Sequence, residues 1–141
     1  MSATQPLYQR PGLNRVLFSK EEQVLAEAAL TARLCEELKG YFRNQFREYF
    51  NLMNFNLERE NKMLEESLVR LVIKDILSTE EYTLQGIAHY TNTHEDLVHD
   101  LIMGRNTNPS ITVFRKLIEL HRSLRSDLYH KILKKITSEP Q

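Results

Sequence analysis

The side chains best suited to recognising another molecule lie between Thr83 and Asn108. Glu95, Asp96 and Asp100 place three carboxylates within six residues, and a carboxylate can accept a hydrogen bond from an exocyclic amino group such as cytosine N4. Thr83, Gln85, Thr93, His94, His99, Arg105, Asn106, Thr107 and Asn108 surround them. Their hydroxyl, amide, imidazole and guanidinium groups can donate to phosphate oxygens. His94 and His99 would serve a polyanion better when protonated, and Glu95 stands four residues before His99. The sequence has no phosphate-cradling glycine loop, nucleophile elbow or His-Glu-x-x-His helix, so catalysis is not expected. His89, His94 and His99 recur every five residues, a spacing that does not align two ligands on one helical face. Neither a metal nor a cofactor is therefore expected.

These residues need elements to hold them. Leu84, Ile87 and Ala88 form an apolar stripe, and Asn92 follows Ala88 by four residues. Val98 and Leu101 follow Ala88 by ten and thirteen, and Gly104 by sixteen. That is helix-turn-helix spacing, a unit used mostly to lay a short helix in the DNA major groove. Ala88 is small where two helices must cross closely. Asn92 takes a turn position that needs left-handed backbone, which Asn tolerates best among residues bearing a side chain. Val98 and Leu101 anchor the second helix, and Gly104 ends it.

The rest of the sequence is helical in pattern. Its 141 residues include only four Gly and four Pro, and the composition is 41% hydrophobic and 27% charged, which is globular. Residues 1–18 read as a flexible lead containing Pro6, Pro11 and Gly12. Ser19 and Glu22 form a capping box that opens a helical arm over residues 19–61, with Gly40 its expected break and a turn within Asn51–Asn56. Phe42, Phe46, Tyr49 and Phe50 follow i, i+4, i+7, i+8 spacing, so they share a face that must be covered. A hairpin within the chain and a homodimer interface both satisfy that need, and a two-helix arm buries little by itself. A lone Cys35 allows no internal disulfide, and with no signal-like or membrane-spanning stretch it points to a cytoplasmic protein.

Net charge is zero but unevenly spread. From Asp75 to Met103 there are six acids and no Lys or Arg, while Gly104 to Lys135 carries eight bases against Glu119 and Asp127. The second stretch is expected to face phosphates, although the lysines of the last helix also suit its dipole.

Residues 66–124 resemble the Cro-repressor, or xenobiotic-response-element, family of helix-turn-helix domains. The resemblance implies an all-α chain: a hairpin-like arm followed, over residues 62–141, by a five-helix lambda-repressor-like domain with a basic C-terminal helix. Glu66–Leu77 would be its first helix, Thr83–Tyr90 the positioning helix, His94–Met103 the recognition helix and Ser110–Leu124 the helix behind. It further implies a sequence-specific transcriptional regulator that binds an inverted-repeat site in double-stranded DNA as a homodimer. The base-reading positions then fall on Glu95, Asp96 and Asp100, where the family often has Gln, Arg, Asn, Ser or Lys. Gln85 stands one place later than the family's phosphate-touching Gln. Each added negative charge near phosphate costs about 1 kcal/mol at high dielectric. The acids thus leave a second reading open, in which the fold is kept as an adaptor and the acidic helix binds a protein partner.

Overall fold

A computed structural model describes residues 19–138. The expected lead over residues 1–18 lies outside them. The described residues form seven helices and no strand: α1 (Lys20–Gln45), α2 (Arg47–Leu52), α3 (Leu57–Ser78), α4 (Leu84–Thr91), α5 (Glu95–Ile102), α6 (Ile111–Leu124) and α7 (Ser126–Ser138).

Short polar side chains set the starts. Ser19 Oγ accepts from the Glu22 amide at 3.2 Å, Asn56 Oδ1 from Arg59 at 2.9 Å, Thr83 Oγ1 from Gly86 at 3.1 Å and Ser110 Oγ from Val113 at 3.2 Å. Each satisfies one amide that a helix start leaves without an intrahelical partner. Gly40 is no break. α1 runs through it because Leu38, Lys39 and Phe42 are buried around it, and that packing outweighs the roughly 1 kcal/mol a mid-helix glycine costs. The helix ends instead at Phe46, which has left α-helical geometry (φ −102°, ψ 17°). α3 runs unbroken across residues 61–62, where the sequence pattern divides arm from domain.

α3 is the spine. It packs against α1, α5 and α6, while α4 packs on α5 and α6, and α7 lies against α1 and α6. Leu64, Ile73 and Ile76 of α3 are fully buried, as are Leu34 and Leu38 of α1, Ile87 of α4 and Leu120 of α6. Phe42 and Phe50, expected as possible dimer contacts, prove to be core residues, 1% and 0% exposed within one chain. Phe46 interrupts the helix for one residue while the Phe46–Phe42 and Phe50–Phe46 backbone bonds persist, and the turn after α2, with Asn54 left-handed at φ 56°, brings Phe55 onto Phe50 with ring centroids 5.7 Å apart. Phe46 is half-buried and Tyr49 stays exposed.

The α4–α5 connection is short. Asn92 is left-handed at φ 58°, ψ 47°, and the Thr93 amide donates back to the Ala88 carbonyl at 2.9 Å. Thr91 Oγ1 donates to the Ile87 carbonyl at 2.9 Å and lies 2.9 Å from Thr93 Oγ1, pinning the turn from inside. Gly104, at φ 76°, closes the far end of α5. Replacing Asn92 by Val would force a β-branched side chain into this region. Asn92→Val is expected to cost about 1–2 kcal/mol, read by chemical unfolding.

Candidate functional site

The outward face of α5 is set by what its inward face buries. Val98 and Leu101 are 1% and 2% exposed against the core. Helical geometry therefore turns Glu95, Asp96 and His99 to solvent, with Asp100 half-exposed beside them. The first turn carries Glu95 and Asp96, where the positive end of the helix dipole favours them. His94 is the N-cap, but its side chain makes no capping hydrogen bond.

Arg105 folds back over this face. Its Nε donates to Asp100 Oδ1 at 3.1 Å and its second guanidinium nitrogen lies 3.0 Å from His99 Nδ1. A guanidinium can only donate, so Nδ1 is the acceptor and the ring proton sits on Nε2. The Arg105 and Asn106 amides also bond to the Asp100 carbonyl, at 2.9 and 3.2 Å, which fixes the loop leaving α5. Asp100 is thereby neutralised locally. Glu95 and Asp96 have no ion-pair partner among the described residues.

The surrounding donors are only partly available. Thr83 uses its hydroxyl to cap α4, Thr93 is tied to Thr91, and Asn106 Oδ1 accepts from the Asn108 amide at 3.0 Å. Gln85, His94, Thr107 and Asn108 are exposed. A cavity of about 180 Å³ opens beside the end of α5, bounded by Ser67 and Arg70 of α3 and by Gly104, Asn106 and Thr107.

The basic C-terminal stretch is not the open cationic flank its composition suggests. Arg115 pairs with Glu27 at 3.0 Å, Lys116 with Glu119 at 3.7 Å, Arg125 with Asp75 at 3.0 Å and Lys135 with Glu37 at 3.0 Å. Two of these partners lie on α1, so the charges fasten α6 and α7 to the first helix.

The most concentrated polar chemistry is elsewhere, inside the bundle. His121 is 0% exposed, with Nε2 2.7 Å from Asp75 Oδ2 and Nδ1 2.6 Å from the Tyr129 hydroxyl. Arg125 grips the same carboxylate with two nitrogens, at 3.0 and 3.2 Å, and also donates to Ser78 Oγ at 3.1 Å. Burial pushes the Asp75 carboxyl up, but hydrogen bonds from His121 and Arg125, with the guanidinium charge, outweigh it and hold the group below its ordinary value. Burial also drives the Tyr129 phenol far above its ordinary value, so it remains a donor. One assignment satisfies every atom: Tyr129 donates to Nδ1, Nε2–H donates to Asp75, and Arg125 fills the remaining lone pairs. This network joins α3, α6 and α7 and is structural. Sequence reading misses it, treating Asp75 and Arg125 only as surface charge. The available signal is position: Asp75 interrupts the apolar run Leu71, Val72, Ile73, Ile76, and His121 falls on the Leu117–Leu120–Leu124 stripe.

Among the described residues no three His, Cys, Asp or Glu side chains gather as metal ligands, and no helix is long and apolar enough to cross a membrane. Comparison with protein-family models, curated proteins and solved structures finds no match to the chain.

Proposed function

We propose that the chain is a non-catalytic, sequence-specific DNA-binding regulator, acting as a pair of copies with His94–Met103 in the major groove, as its resemblance to the Cro-repressor family implies. The observation that carries this reading is the α4–Asn92–α5 unit. Left-handed Asn92 joins two eight-residue helices, Val98 and Leu101 hold α5 from beneath, and Glu95, Asp96 and His99 are left outward. Within this reading the Asp100–Arg105 pair lowers the charge cost of the face, and Glu95 and Asp96 accept from cytosine N4 amino groups. Phosphate contacts come from Gln85, His94, Thr107, Asn108 and the Arg70 cavity wall rather than from the paired C-terminal cations. With five of the eight cations after Gly104 already held in ion pairs, the slope of log K against log salt is expected to be shallow, roughly −2 to −3, corresponding to two or three neutralised phosphates.

Selection from randomised duplexes at about 50 mM salt, where phosphate contacts are strong, tests the reading. Enrichment of an inverted repeat supports it, and no enrichment overturns it. The acidic face and internally paired cations favour one alternative, an adaptor whose α5 binds a basic protein. Joint replacement of Glu95, Asp96 and Asp100 by Ser separates the two. Base-reading acids predict collapse of specific DNA binding, whereas an adaptor predicts loss of partner binding with a gain in non-specific DNA affinity.

A further inference from the structure

Large apolar side chains are left uncovered at one end of the molecule. Leu52 is 85% exposed, Leu57 63%, Met53 53% and Tyr49 44%. Tyr49, Leu52 and Met53 are spaced i, i+3, i+4, so they share one face of α2 and its cap, and Leu57 opens α3 just across the turn. The base beneath them is firm. Phe50 is fully buried, Phe55 stacks on it, and Tyr49 meets Phe55 edge-on at 6.0 Å. Large apolar side chains exposed together on α2 and at the start of α3, over a packed aromatic base, are costly to leave in water and mark a docking surface.

We infer that this α2–α3 tip is where two copies of the chain pair, about a two-fold axis. The rim chooses the occupant. Glu48 lies on α2, and Glu58, Arg59 and Lys62 lie on the first turns of α3, all exposed, and none of the four has an ion-pair partner among the described residues. Arg59 instead lies over the Phe55 ring at 4.6 Å. In a two-fold contact each residue meets the partner's counterpart in exchange, so a patch bearing both signs can complement itself. A strongly acidic or basic partner would meet like charge on half of this rim.

The position of the tip sets the spacing of a paired arrangement of α5, a point that rests on the DNA-binding reading. Ser67 and Arg70 of α3 share a cavity with Leu101 and Gly104, which fixes where the end of α5 lies along the spine. At 1.5 Å per helical residue, that level is roughly 16 Å from Leu57. Two spines joined tip to tip and in line would separate the α5 ends by twice that distance plus the thickness of the contact, roughly 40 Å, a spacing that the half-sites of any selected DNA would report.

Sedimentation equilibrium of the full chain without DNA, at tens of micromolar, tests the inference. A dimer is expected, and Leu52→Glu with Met53→Glu should weaken it by about tenfold or more, with unchanged helical circular dichroism because both side chains are already exposed. An Asn51→Cys variant, treated with a short bis-maleimide, should yield a cross-linked dimer whose bridged peptides map to this tip. A monomeric wild type, or a dimer indifferent to both Glu substitutions and not cross-linked at the tip, overturns the proposal. A chain that dimerises but selects no DNA overturns only the regulator reading. A chain that selects DNA as a monomer overturns only this one.

Discussion

Asp75→Ala is expected to lower the thermal midpoint by roughly 10–15 °C, from the loss of about 3 kcal/mol. The substitution deletes little volume but leaves the fully buried His121 Nε2 and the Arg125 guanidinium without their common acceptor. Stranding buried donors is the expensive direction of hydrogen-bond loss. Arg125 is also the single non-helical residue between α6 and α7, so its release loosens the elbow as well as the core. Arg125→Lys should be milder than Asp75→Ala yet still destabilising, because an ammonium cannot reproduce the two-pronged contact. The effect has a definite pH signature. The carboxyl is held below its ordinary value of 3.8 in the fold, so its contribution is fully present above that value and is lost as pH falls through the lower folded value. The gap between wild type and Asp75→Ala, measured by chemical denaturation, should therefore stay constant near neutrality and narrow only below about pH 4. A gap that widened on acidification would contradict the assignment.

Phe50→Ala is expected to cost about 3–5 kcal/mol, comparable to other aromatic truncations in well-packed cores. Phe50 is 0% exposed and shares ring contacts with Phe46, Tyr49 and Phe55. The measurement separates two roles the sequence leaves open. A core residue gives a loss that is the same at every protein concentration, whereas an interface residue gives one that shrinks on dilution, as the wild-type dimer itself dissociates. Concentration-independent loss is expected for Phe50 and Phe42, and concentration-dependent loss for Leu52.

Local features were legible because they are written in adjacent residues. Ser19 and Thr83 precede helices and cap them, Asn92 stands at a left-handed position that Asn tolerates best among residues bearing a side chain, and Gly104 closes α5. All-helical character follows from the same spacing. The aromatic stripe was visible as something to be covered. What covers Phe50 includes Phe55 beyond the left-handed turn at Asn54, a contact that helical spacing does not reveal. Gly40 misleads, since propensity yields to burial around it. The buried network was illegible for a different reason. Asp75 and His121 are 46 residues apart and Asp75 and Arg125 are 50 apart, so their charges look like surface until three helices close around them. For the same reason the cations after Gly104 read as a phosphate-facing flank, while Glu27 and Glu37 on α1 already hold two of them.

The bond between Glu37 and Lys135 links positions 98 residues apart and has a consequence for how the molecule is built. During synthesis α1 emerges first, yet α7, one of the helices it rests on, is made only after every other helix. α1 can pack on α3 soon after both are made, but its α7 side must wait for the last helix before it leaves water. A growing chain thus leaves one side of α1 open until the last helix is made, and the arm has no stage at which it is complete alone. Excised as a separate dimerising module it would lose its support, so the natural unit of inheritance and of engineering is the whole bundle.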